Sequence, residues 1–160
     1  MKKLKLQNNT INIVMYHYIR PIKDSKYPSI KGLEVNEFEN QINFFLKNAN
    51  IISEEQLINN INKKKISKKP SVLLTFDDGY KDHFQYVFPI LMKNKISGIF
   101  YPPQKVVENK IVLDVNKIHF ILEKQNDSKK LLKYIINFLE KKHPNIKKKI
   151  NFNKINTDSR

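Results

Sequence analysis

Ser71-Val72-Leu73-Leu74-Thr75-Phe76-Asp77-Asp78-Gly79-Tyr80 decides how this chain is read. Its first six residues form a short, almost wholly apolar run. Such a run suits a strand covered on both faces, as in a parallel sheet. It ends abruptly in two adjacent carboxylates and a glycine. The carboxyl end of a strand in an α/β sheet or barrel is where ligands bind. Gly79 allows a tight turn or a close backbone approach. Two neighbouring carboxylates oppose each other's ionisation unless a positive charge joins them. A divalent cation would do so, with one carboxylate as ligand and the other left free as a base. A strand-to-helix turn, with Asp77 or Asp78 capping a helix that begins near Tyr80, explains an isolated Asp-Asp-Gly equally well.

Working outward, Ile11 to Ile19 is β-branched and aromatic, which predicts a strand that emerges at His17 and stops before Arg20-Pro21. Pro, Ser and Gly mark 21–33 as loop. Helical spacing of Phe38, Ile42, Phe45, Leu46 and Ala49 predicts a helix over 36–49, with Asn36 as N-cap. Ser53-Glu54-Glu55-Gln56 opens a second helix with a capping-box pattern, running to Asn62. A polar, basic connector, 63–70, leads into the apolar strand that begins at Ser71. Beyond it a helix is expected from Tyr80 to Asn94, with Phe84, Val87, Phe88, Leu91 and Met92 inward and a kink at Pro89. Ile96 to Tyr101 reads as a strand closed by Pro102-Pro103. Helices follow over 115–124 and 131–142, and Pro144 stops the last. The order of strands and helices predicts an α/β fold with parallel pairing. No internal repeat is evident, and one domain over 1–160 is expected.

The chain has 160 residues, 30 of them basic and 15 acidic, for a net charge of +15. The excess is Lys spread along the whole length, and only Arg20 and Arg160 are arginines. Specific nucleic-acid readers rely on Arg, whose planar fork pairs with phosphate and guanine. The charge is therefore read as solvated surface, and no nucleic-acid partner is expected. Without Cys, disulfides and thiolate metal sites are excluded. The apolar stretch Ile11 to Met15 is too short for a signal sequence. No run approaches the ~18 apolar residues of a membrane span. The expectation is a soluble, cytoplasmic protein without a transmembrane segment.

Thr75-Phe76-Asp77-Asp78-Gly79 resembles the first motif of the polysaccharide deacetylases, the NodB-homology family of carbohydrate esterases. The likeness continues through Tyr80, Asp82, Tyr86, Pro89 and Leu91, then through Ile96 to Pro103. Upstream, Met15-Tyr16-His17-Tyr18 is similar to the first strand of one branch of that family. The resemblance is best over 11–103; 104–143 reads as a helical segment and 144–160 as a polar tail. It implies the N-terminal part of a distorted (β/α) barrel. It implies hydrolysis of an N-acyl group, usually acetyl, from a sugar of a polysaccharide or glycolipid precursor. Asp77 would be the general base and Asp78 a ligand of a divalent metal, usually zinc. Such a metal polarises the amide carbonyl and lowers the pKa of bound water from about 15.7 toward about 7.

The family's later motif, a His pair three or four residues apart, has no counterpart among His17, His83, His119 and His143. A catalytic zinc needs about three protein ligands. The chain is also short for a barrel, which takes on the order of 200–250 residues. The expectation is a truncated chain, inactive alone, or one completed by a separate chain that supplies the second half. The alternative is a non-catalytic remnant of the fold that binds glycan or a partner. His17, at the end of the first strand, is expected to line the site, as are Gly79 and Tyr80. Asp82 fits the first turn of a helix, and His83 is expected to face solvent. Asp114 is expected to cap a helix that carries His119. His143 suits a helix C-terminus.

Overall fold

The computed structural model describes residues 6–64, 67–125 and 127–146. Most of the polar tail expected over 144–160 lies outside the described residues. The chain divides into two compact units, Met1–Val112 and Leu113–Arg160.

In the first unit, β1 (Ile11–Tyr16), β2 (Asn50–Ile51), β3 (Ser71–Asp77) and β4 (Ile99–Tyr101) form one sheet, and every pairing is parallel. β3 is the centre. β1 runs along one of its edges, from Ile11 beside Ser71 to Tyr16 beside Phe76. β2 and β4 share the other edge, against Ser71–Val72 and Thr75–Asp77 respectively. The sheet is open rather than closed, so the α/β, parallel-strand expectation holds.

Alternation along the strands sorts the side chains onto two faces. Tyr16, Val72, Leu74 and Phe76 join Phe38, Ile42 and Phe45 of α1 (Val35–Asn48) and Ile90 and Leu91 of α3 (Phe88–Asn94) in one buried core. Ile13, Met15, Leu73, Thr75, Ile99 and Tyr101 take the opposite face. There they line a cleft of roughly 580 Å³ with Leu57 and Ile58 of α2 (Glu54–Asn62). Ile13 and Met15 remain more than half exposed, at 63% and 61%.

Several local details differ from the sequence reading. β1 stops at Tyr16, three residues early, because Ile19 turns away to bridge Leu33. The cap of α1 is Glu34, not Asn36; the Glu34 N–H donates to the Glu37 carboxylate at 3.4 Å. Leu46, expected inward, is exposed. The capping box of Ser53 and Gln56 forms as expected. β4 begins at Ile99 rather than Ile96. Two elements, β2 and α4 (Gln104–Asn109), are too short to show a period.

The largest difference follows β3. His83–Val87 is a π-helical turn, closed by a bond from the Phe88 N–H to the His83 carbonyl. The wider turn holds one residue more than an α turn and shifts the inward face. His83, Val87, Ile90 and Leu91 are buried, whereas Phe84, Phe88 and Met92 are exposed. Pro89 sits in the first turn of α3, where its missing N–H costs nothing.

The second unit holds α5 (Asp114–Lys124) and α6 (Ser128–Lys142). Leu113 takes the cap position of α5; Asp114 lies inside it and pairs with Lys117. Asp127 caps α6 by accepting from the Lys130 N–H. Ile135 and Phe138, in register on α6, are exposed. Among the described residues no helix is long and apolar enough to cross a membrane.

Candidate active site

The parallel register places the site. β1 and β3 run in step, Tyr16 beside Phe76, so the next residue of each chain is His17 and Asp77. Asp77 lines the cleft, and His17 Nε2 lies 3.9 Å from Asp77 Oδ2. On the other edge Asp77 pairs with Tyr101, whose ring is 55% exposed on the same face. His17, Asp77 and Tyr101 therefore stand side by side at the carboxyl ends of three strands. Asp78 lines the same cleft.

The backbone here is unusual. Asp78 has φ +70 and Gly79 φ +60. A non-glycine residue in the left-handed region costs roughly 1–2 kcal/mol, least for Asp and Asn. Strain of this kind gathers at functional sites. It turns Asp78 out of the strand direction. Its Oδ2 accepts a 2.5 Å hydrogen bond from the Tyr80 hydroxyl. Burial, aided by that bond, pushes the Tyr80 phenol far above its ordinary pKa, so it stays a donor. Gly79 has no room for a side chain: a Cβ there would lie 2.8 Å from the Pro102 Cβ. Gly79→Ala should combine strain and clash, and lose about 1–3 kcal/mol of stability in a urea melt.

His83 is the residue that sequence reasoning misplaced most. Its Nε2 lies 2.7 Å from the His17 carbonyl. A carbonyl only accepts, so Nε2 carries the proton. Burial lowers the His83 pKa, partly offset by that bond, and the ring is neutral. It ties the end of β1 to the turn that follows β3 and so fixes where His17 stands. The unfolded chain takes up a proton near pH 6.5 that the folded chain refuses. Stability should be full above that pH and fall below it, by at most ~1.4 kcal/mol per pH unit. Urea midpoints at pH 7.5 and 5.5 check this: the decrease should shrink in His83→Gln.

Sequence reasoning also missed Arg20 and Tyr101 as neighbours of the site, and it weighed Asp82 without its partner. Arg20 Nε and Asp82 Oδ2 lie 2.5 Å apart, both side chains largely buried. The register of β3 and β4 brings Tyr101 beside Asp77, and the Arg20–Asp82 pair joins the segment after β1 to the turn after β3; no spacing along the chain reveals either. His119 and His143 belong to the second unit.

Asp78, Asp77 and His17 offer oxygen and nitrogen, but among the described residues no three His, Cys, Asp or Glu are grouped to hold a metal.

Residues 63–133, which include the Asp77-Asp78-Gly79 turn, match the family model described as polysaccharide deacetylase. Over that segment the chain is similar to the polysaccharide deacetylase family. Solved structures are similar to the chain in fold. A de-N-acetylase from Aggregatibacter actinomycetemcomitans is 25% identical, over 57% of this chain and 37% of that one, with a TM-score of 0.50. The Streptococcus pyogenes deacetylase PplD, solved in complex with acetate, shares the fold at 20% identity and a TM-score of 0.55, over 70% of this chain and 51% of that one. IcaB from Ammonifex degensii shares it at 24% identity and a TM-score of 0.51, over 62% and 40%. The chain thus spans between 37% and 51% of the length of these structures. No curated protein matches the chain.

Proposed function

We propose that this chain supplies the base-bearing half of a site that hydrolyses an N-acyl group, acetyl by preference, from an amino sugar of a polysaccharide or glycolipid. The observation that supports this most is the in-step placement of His17 and Asp77, with Asp78 beside them, on the cleft face of β3. Asp77, its side chain 28% exposed, is reachable by water and unencumbered by a short hydrogen bond, as a base must be. It takes a proton as the water oxygen bonds to the acyl carbon. The carbon–nitrogen bond then breaks, acetate leaves, and the sugar nitrogen gains a proton. His17, whose ring nitrogens can donate or accept a hydrogen bond, stands beside Asp77. Tyr101 and the apolar wall of Ile13, Met15 and Ile99 offer a surface for the sugar ring and acyl methyl.

Asp78 is the carboxylate offered to a divalent metal, zinc first. The described residues do not complete that centre, so the remaining ligands come from elsewhere, in residues beyond the described ones or in a companion chain. Alone, the chain is expected to turn over slowly or not at all. The open sheet supports this, since among the described residues β1 and β4 pair on one side only and Ile13 and Met15 stay largely exposed.

Acetate release from an N-acetylated glucosamine oligomer, with zinc or cobalt added, tests the proposal. Release that needs metal and both carboxylates supports it. Release indifferent to Asp77→Asn and Asp78→Asn overturns it. Oligomer binding in the cleft without any release, even when metal is in excess, would favour a non-catalytic glycan-binding role, which the incomplete donor set also suits.

A further inference from the structure

We infer that Arg20 is a positioning residue that fixes the Asp78 carboxylate through Tyr80. This rests on Asp78 being the carboxylate offered to the metal, as proposed above. Arg20 lies just past β1, and its N–H donates to the Leu33 carbonyl at 3.1 Å. Its Nε pairs with Asp82 Oδ2 at 2.5 Å. Its guanidinium lies 4.7 Å from the centre of the Tyr18 ring and 5.8 Å from that of Tyr80. The two rings stack at 4.4 Å and 25°. The Tyr80 hydroxyl in turn donates to Asp78 Oδ2. The contacts form one continuous line from Asp82 to Arg20, to the ring stack, to Asp78.

Each link is geometric. A tyrosine hydroxyl has a single proton to donate, and here Asp78 Oδ2 receives it. That bond fixes the rotation of the carboxylate and so the direction of both its oxygens. The direction of the hydroxyl depends on the plane of the Tyr80 ring. Tyr18, which is 5% exposed, holds one side of that plane. Arg20 closes the cluster, and the ion pair with Asp82 keeps it from swinging into solvent. The site needs this external clamp because Asp78 sits at φ +70, followed by a glycine, where the local backbone gives little support of its own. Lys cannot replace Arg20, since an ammonium can pair with Asp82 but cannot lie flat on a ring.

The test uses the 160-residue chain labelled with ¹³C at tyrosine Cζ. Tyr80→Phe assigns the Tyr80 signal. Arg20→Ala and Arg20→Lys should both move that signal toward the value of a free tyrosine, while Arg20→Lys keeps the fold. Cobalt affinity is read alongside. Arg20→Ala and Tyr80→Phe should each weaken it about two- to fivefold, the scale of one exposed cation–π contact. The double variant should be no weaker than Tyr80→Phe alone. An unmoved Tyr80 signal in Arg20→Lys, or losses that add in the double variant, would overturn the inference. If the parent chain binds no cobalt, the metal role of Asp78 fails by itself; the Tyr80 signal still decides whether Arg20 positions that ring.

Discussion

Asp77→Asn is expected to lower metal-dependent acetate release by about 10²–10⁴-fold, the usual contribution of a positioned general base. The loss should fall on kcat. The amide has the shape of the carboxylate but cannot accept a proton from water, so sugar binding in the cleft is left intact. The fold should tolerate the change. Asp77 is the last residue of β3, paired through its backbone with Tyr101, and its side chain is partly open to solvent. His17 Nε2 lies 3.9 Å from its Oδ2. A rate assay on the completed site, with circular dichroism to confirm folding, checks this. A variant that keeps the parent's rate removes Asp77 from the chemistry.

Phe76→Ala is expected to cost about 3–5 kcal/mol, the range for deleting a fully buried aromatic ring. Phe76 is completely buried. Its ring stacks on Tyr16 of β1 at 5.3 Å and on Phe100 of β4 at 4.8 Å. It meets Phe38 of α1 edge-on at 6.0 Å and His83 at 5.6 Å. One side chain thus links the three strand ends that carry His17, Asp77 and Tyr101. Gly98 approaches so closely that a Cβ there would lie 2.5 Å from the ring. Each of these partners loses contacts when the ring goes, and a void this central cannot close without moving the strand ends. Urea denaturation gives the stability directly. Even the folded fraction of the variant should show a weakened site, since Phe76 directly precedes Asp77.

The α/β class, the centre of the sheet and the carboxylate pair were legible in the sequence, because β3 is apolar throughout and breaks off at Asp77-Asp78-Gly79. The helices over 35–48, 54–62, 114–124 and 128–142 were legible too, since an amphipathic period survives in each. The region after β3 misled for a definite reason. Helical spacing assumes 3.6 residues per turn, and one π turn at His83–Val87 breaks that count. Phe84 and Phe88 then turn outward and His83 inward. The company kept by Asp77 was half legible. His17 was marked by its place at a strand end, but its pairing with Asp77 depends on the step register of β1 and β3. Arg20 and Asp82 are far apart in sequence, and their ion pair follows from how 17–20 folds back toward the turn after β3.

Cobalt(II) calorimetry on the 160-residue chain, with Asp78→Asn as the control, tests most directly whether this turn is built for a metal. Asparagine tolerates the left-handed backbone at this position and can still accept from Tyr80, so the substitution removes the charge and little else. The expected result is weak one-site binding, with a dissociation constant on the order of 10⁻⁴–10⁻³ M as for oxygen-ligand sites of low affinity, abolished in Asp78→Asn. Binding of the same strength in the parent chain and in Asp78→Asn would contradict it.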